Sequence, residues 1–200
     1  MEYAEVLRRR RMVRRFTAQP VADEALDRIL AAAVRGPSAG FVQGCSFLVL
    51  DRPEQTRRFW VASGAELEAP DRWLEGMSRA PLIVVPLSSK EAYLDRYAQP
   101  DKGWTDRDEG RWPVPYWHVD AGMAALLMLL TAVDEGLGGC FFGVPRAAIQ
   151  PVREAFGVPP EWQPVGAVAI GHPDPAPSGQ RRARKPLDEV VHRGEWRGPG

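Results

Sequence analysis

DAGMAALLMLLTAVDEGLGG, Asp120 to Gly139, decides how the chain is read, because no other stretch stays apolar for so long without a charge. From Ala121 to Val133 every residue is apolar or small except Thr131. Ala, Leu and Met favour a helix, Asp120 is suited to cap its first turn, and Gly136 can supply the left-handed residue that ends it. A helix apolar all round is expected to be covered by protein on every side. Its uninterrupted run, about 13 residues, falls short of the roughly 20 that span a bilayer, so the reading is the core helix of a soluble domain. Ala121, Gly122, Ala124 and Ala125 keep the first turns slim enough for another backbone, or a flat ligand, to come close.

Outward from this helix, short β-prone runs alternate with helical ones. On the N-terminal side, Leu26, Ile29, Leu30, Ala33 and Val34 recur with the period of an amphipathic helix over Asp23 to Arg35, which Gly36 and Pro37 end. CSFLVL after Gly44 and APLIVVPL, Ala80 to Leu87, read as strands, the second continuous enough to be covered on both faces. Between them Pro53 to Ser63 reads as a helix with Phe59 and Trp60 as anchors. On the C-terminal side CFFG and VGAVAIG, Val165 to Gly171, read as strands, and Pro145 to Phe156 as a helix bent or shortened at Pro151. Residues 91–117 mix charges, Pro, Gly and aromatic rings and read as a lid with a short helical start. Residues 174–200 form a charged C-terminal arm expected to wrap the domain or a second copy. The whole, residues 1–200, reads as one α+β domain with a central sheet flanked by helices.

The chain has 26 basic and 26 acidic residues, so nothing global points to nucleic acid or an anionic membrane. Cys45 and Cys140 are far apart, as are His118, His172 and His192, which argues against zinc or a disulfide framework. The N-terminus shows no signal-like apolar segment, and the expected location is the cytoplasm. Familiar dinucleotide, P-loop, zincin and nucleophile-elbow motifs are absent from the sequence. The reaction, if there is one, is therefore expected to be carried by a cofactor. The positive signal is arginine. Arg8 to Arg11, Arg14 and Arg15 form one block, and Arg181, Arg182, Arg184 and Lys185 another. Planar guanidiniums suit a phosphate, and the two blocks can meet around one.

RRMVRRF (Arg10 to Phe16), PSAGFVQG (Pro37 to Gly44), DAGMAALLMLLTAVDEGLGGCFFG (Asp120 to Gly143), VAIGHP (Val168 to Pro173) and RARKPLDEVV (Arg182 to Val191) stand in the order of the FMN-dependent nitroreductase family, which the chain resembles over nearly its whole length apart from the lid. The resemblance implies a three-layer α+β sandwich with a mixed or antiparallel sheet, in an intertwined homodimer with two FMN sites at the interface. It implies that Arg10, Arg182 and Arg184 hold the FMN phosphate. Arg11 and Met12 would lie along the ribityl chain and ring edge, and Arg14 would face the pyrimidine end. Pro37, Ser38 and Ala39 would reach the flavin from the other subunit, with Phe142 and Gly143 approaching by backbone and Asp120 as a neighbour of the ring.

By the same resemblance, NADH or NADPH delivers hydride to flavin N5, and a nitroaromatic, quinone or related small-molecule acceptor takes the electrons from the vacated site in a ping-pong cycle. Phe41, Trp104, Trp112, Tyr116 and Trp117 are the candidate substrate residues, and Tyr93 and Tyr97 share their segment. The other reading of these rings is that they pack an interface or a surface turn. His118 and the two cysteines read as structural. Met12 stands where many members have Ser, and Phe41, Gly44 and Cys45 replace Asn, Pro and Trp of the family loop. Alternatives are a reductase drawing electrons from a deazaflavin, a flavin-modifying relative, or a flavin-storage protein without turnover.

Overall fold

The structure is a computed structural model, and it describes residues 1–175, 183–196 and 198. Its frame is an antiparallel sheet in the order β1-β2-β5-β3, made by β1 (Cys45–Leu50), β2 (Leu82–Ser88), β5 (Ala167–Gly171) and β3 (Gly138–Phe142). The short β4 (Gln163–Pro164) also pairs with β2. Register runs from Cys45↔Ser88 to Leu50↔Ile83 between β1 and β2, and from Gly138↔Gly171 to Phe142↔Ala167 between β3 and β5.

Period-two alternation divides β2 between two cores. Leu82 and Val84 face one side with Val168 and Ile170, and there α2 (Asp23–Ala33) and α6 (Tyr116–Asp134) pack. Ile83, Val85 and Leu87 face the other side with Ala167 and Ala169, under α3 (Pro53–Ala62), α4 (Arg72–Met77) and α7 (Ile149–Phe156). The result is the expected three-layer sandwich, with an antiparallel sheet at its centre. The remaining helices are α1 (Tyr3–Arg9), α5 (Lys90–Tyr97) and α8 (Leu187–Val190), the last exposed within the C-terminal arm.

The central helix differs from its sequence reading in three respects. It begins at Tyr116, four residues before Asp120, with Pro115 at the N-cap. At 19 residues it is long and apolar enough to cross a membrane by length and composition, although in this fold it packs on the sheet. Nor is it covered all round: Ala121, Ala125, Met128 and Ala132 are buried, while Val119 and Leu126, seven residues apart, are 43% and 48% exposed. The sheet, α1 and α2 leave this part of the cylinder open. Gly136 does end it in the left-handed region, at φ 76°. At α7, Pro151 falls in the first turn, where a missing N–H costs nothing, and a 3₁₀ turn over Arg146–Ala148 precedes it.

Candidate functional site

The segment after α1 is extended and runs along the free edge of β3. Met12 bridges Gly139 in parallel, and the Val13 N–H donates to the Gly139 carbonyl at 3.0 Å. Farther on, Phe16, fully buried, bridges Pro173, and the Thr17 N–H donates to the His172 carbonyl at 2.9 Å. Glycines make this approach possible. A Cβ on Gly76 would lie 2.3 Å from the Arg14 carbonyl oxygen, and one on Gly138 2.6 Å from Val13 Cγ2.

Along this edge the arginines sort by partner. Arg8 and Arg9 are held by Glu5, and Arg15 lies 3.6 Å from Glu75 and 3.8 Å from Asp174. Among the described residues no carboxylate pairs with Arg10, Arg11 or Arg14. Arg11 shares a cleft of about 400 Å³ with Arg8, Arg9, Val13 and the turn Gly136 to Gly138. Alternation along an extended chain then turns the side chains of Arg10, Met12 and Arg14 to the side opposite that of Arg11. Arg184 is exposed in the arm, and Arg182 lies outside the described residues.

At the other end of β3 a second cleft, about 330 Å³, opens beside Phe142 and Gly143. Gly139 and Phe142 are three residues apart, so roughly 10 Å of strand joins the arginine edge to this cleft. The cleft walls are aromatic. Trp60 stacks on Phe142 with centroids 5.3 Å apart at 11°, and Trp73 meets both edge-on at 5.9 and 5.8 Å. Glu66 and Asp71 are the charged residues of the lining. Asp71 also accepts the Leu74 N–H at 2.7 Å and so caps α4. Trp60 Nε1 is buried without a hydrogen-bond partner. A Cβ on Gly143 would meet nothing within 4 Å, so its backbone is open.

The third component is the turn from Pro37 to Gly44. Ser38 and Ala39 are half-buried and Pro37 is exposed. Asp120 sits behind this turn, 2% exposed, and its Oδ2 accepts the Ala39 N–H at 2.8 Å and the Tyr93 O–H at 2.6 Å. Its carboxylate thus supports the backbone of the turn and presents no open face. The sequence expectation that it caps the helix is corrected accordingly, since the helix starts at Tyr116 with Pro115 at its N-cap.

The presumed lid also changes character. Its rings pack on one another: Tyr97 lies 4.9 Å from Trp104 and 4.5 Å from Trp112, and Trp112 lies 5.7 Å from Tyr116 and 6.2 Å from Trp117. Tyr93 is fully buried beneath them. Salt links fasten the exterior, with Arg96 on Asp101, Lys90 on Glu109, Arg111 on Asp106, and Arg107 on both Glu91 and Asp95. Trp104, Trp112, Tyr116 and Trp117 therefore form a half-buried plug at the start of α6, each ring meeting another edge-on or at a tilt. Phe41 is different, since its ring is 77% exposed.

Burial, with a smaller contribution from Asp120, pushes the Cys45 thiol up to about 11 against the Tyr93 hydrogen bond, so it stays neutral at pH 7. Burial also raises Cys140, with Arg14 opposing it. His118, whose Nδ1 is 3.1 Å from Ser88 Oγ, is pushed down by burial and has a structural partner, as expected. Trp60, Trp73 and Gly76 are site residues that the sequence did not single out for this role. The two tryptophans have the signature of ordinary apolar anchors, and nothing in spacing tells that both close on Phe142.

Comparison with known proteins supplies the remaining context. A family model described as "Nitroreductase family" matches residues 7–172. An NADPH-dependent oxidoreductase of Staphylococcus aureus is 23% identical over 192 residues, covering 96% of this chain and 72% of its own length. Among solved structures, nitroreductase A from Vibrio parahaemolyticus superposes with a TM-score of 0.74 at 24% identity, over 99% of this chain and 78% of that one. The NADPH:FMN oxidoreductase from Vibrio harveyi complexed with NAD+ gives the same TM-score and identity, over 99% and 79%. At such identities the structural likeness speaks to the fold.

Proposed function

The chain belongs to the nitroreductase family, and from that premise we propose that it is an FMN-dependent NAD(P)H oxidoreductase that reduces planar, uncharged aromatic acceptors such as quinones and nitroaromatics. The observation that carries this reading is the pairing of unsatisfied cations at one end of β3 with an aromatic cleft at the other. Among the described residues Arg10 and Arg14 meet no carboxylate, which fits a phosphate and the electron-rich end of a flavin. Phe142 and Gly143 bring open backbone to the cleft, which fits a flat ring. These donors suit FMN. Arg10 would hold its phosphate together with Arg182 and Arg184, and Arg14 would place positive charge at the pyrimidine end. Met12 would line the ribityl side. Arg11, its side chain turned into its own cleft, would lie along the ribityl chain by its backbone.

When bound, FMN supplies two-electron transfer at N5 between nicotinamide and acceptor, so no acid or base from the protein is needed. The protein's tasks are to orient, to exclude water and to balance charge. One site serving nucleotide and acceptor in turn gives ping-pong kinetics. Trp60, Trp73 and Phe142 give the acceptor region apolar walls, and the carboxylates of Glu66 and Asp71 disfavour anionic acceptors. A homodimer fits the uncovered apolar residues Val119 and Leu126 of α6, and in it Pro37, Ser38 and Ala39 would reach the flavin of the other copy. Two free thiols fit a reducing compartment, the cytoplasm.

The test is a visible spectrum of the purified protein, followed by anaerobic titration with NADH and with NADPH. A flavin spectrum bleached by either nucleotide is expected. Protein that stays colourless after incubation with FMN refutes the proposal, and a flavin bleached by neither nucleotide moves the reading to a deazaflavin donor or to storage.

A further inference from the structure

The turn that carries Phe41 is strained. Gly40, Phe41 and Gln43 have φ of 61°, 54° and 54°, so two residues with a Cβ hold the left-handed region beside a glycine. Phe41 gains no burial in exchange, since its ring is 77% exposed. Strain of this kind persists only where the surroundings over-determine it.

Here they do, from both sides of the turn. Asp120 Oδ2 accepts the Ala39 N–H at 2.8 Å, and the Tyr93 O–H donates to the same oxygen at 2.6 Å. Arg96 Nε donates to the Gly40 carbonyl at 3.2 Å, while its terminal nitrogens are fixed on Asp101 at 2.7 and 2.8 Å. The Tyr97 ring closes on Gly40 so tightly that a Cβ there would lie 2.8 Å from it, and Ser38 Oγ accepts the Gln43 N–H at 3.0 Å. A carboxylate as buried as Asp120 is costly, and among the described residues no cation pairs with it. Arg96 and Tyr97 come from α5 and Asp120 from α6, so the segment first read as a lid braces the turn from behind.

We propose that Arg96 and Asp120 are positioning residues: they hold the turn over residues 37–43 so that the Phe41 ring projects, in the homodimer, as a stacking surface for the aromatic electron acceptor at the other copy's flavin. This rests on the oxidoreductase reading above. Neither residue touches the acceptor, and both act through Phe41. The selected class is flat and aromatic, because an exposed phenyl ring offers a π-face and no charge. Inorganic acceptors draw no benefit from it.

The experiment compares menadione with ferricyanide in steady-state assays of the FMN-loaded protein, for wild type, Phe41→Ala, Arg96→Ala, Arg96→Lys, Asp120→Asn and the double variant Phe41→Ala/Arg96→Ala. For Phe41→Ala and Arg96→Ala the ratio of menadione to ferricyanide kcat/KM is expected to fall about 5–10-fold, through KM, on the scale of one aromatic contact. Arg96→Lys, which keeps a donor, restores part of the ratio, and Asp120→Asn lowers it. The double variant shows no greater loss than Phe41→Ala alone. Multiplying losses in the double variant, or equal losses for both acceptors, overturns the proposal and makes the brace merely structural. If Arg96→Ala does not fold, Arg96→Lys and Phe41→Ala still decide. Wild-type protein without flavin or turnover overturns the underlying reading, whereas wild-type turnover with an unchanged ratio in Phe41→Ala overturns this inference alone.

Discussion

Two arginine-rich regions of this molecule are alike in composition and opposite in state. In residues 90–117, Arg96, Arg107 and Arg111 each meet a carboxylate, and the rings they enclose pack edge-on or tilted against one another. Along residues 10–14, Arg10, Arg11 and Arg14 meet none among the described residues, and the strand beside them leads to an aromatic cleft. Charge and aromatic content mark both regions as candidates for binding. What separates them is whether each guanidinium is already paired within the fold. The guanidiniums of the plug are spoken for, and those of the arginine edge are left for a ligand.

The sharpest way to break this contrast is to remove charge from the edge. Arg10→Ala with Arg184→Ala is expected to weaken FMN binding about 100-fold or more, at roughly 1.5–3 kcal/mol per charge-assisted hydrogen bond, with an unchanged urea midpoint. Titration of the apoprotein with FMN checks it, and intact affinity would return these arginines to the class of solvated charges. In the plug the signs reverse. Trp112→Ala should cost about 3 kcal/mol of stability, the scale of a truncated aromatic, and leave FMN affinity alone; urea unfolding followed by fluorescence measures it. A smaller effect is predicted for Arg111→Ala, whose exposed pair with Asp106 is screened by salt, so the midpoint should barely move at physiological ionic strength.

The mildest test uses pH. Burial holds His118 below its ordinary value in the folded state, so the unfolded chain binds the proton first as pH falls. Stability that this group supports is present above about pH 6.5, the unfolded value, and declines below it down to the depressed folded value. His118→Gln should flatten that part of the pH profile, and an unaltered slope from pH 7 to 5 would remove His118 as its source.

Much of the fold is legible in sequence because its cues are local. The periods of α2 and α6, the continuous run of β2 and the glycine after α6 each depend on neighbours in the chain. The short α4 was missed because Arg72–Met77 is six residues with a glycine inside, too brief for a period to show. Asp120 was misplaced because a polar residue before an apolar run has the signature of a cap, and only the fold reveals that its partner is the Ala39 amide, 81 residues away. The arginine edge was legible as a block of like charge, yet its division into paired and unpaired members depends on Glu5, Glu75 and Asp174, two of which are distant in sequence. The plug stood between two readings for the same reason, since aromatic rings look available until their contacts are known.

The bridge between Met12 and Gly139 has a consequence outside binding. In the order β1-β2-β5-β3, strand β3 ends the sheet, and an uncovered end strand is a template on which other chains add. Residues 12 and 13 lie over that border, so the segment that presents the arginines also shields the sheet against edge-to-edge association. A truncation that removed the first thirteen residues would take away both at once, and insolubility of the shortened protein would then say nothing about its cofactor.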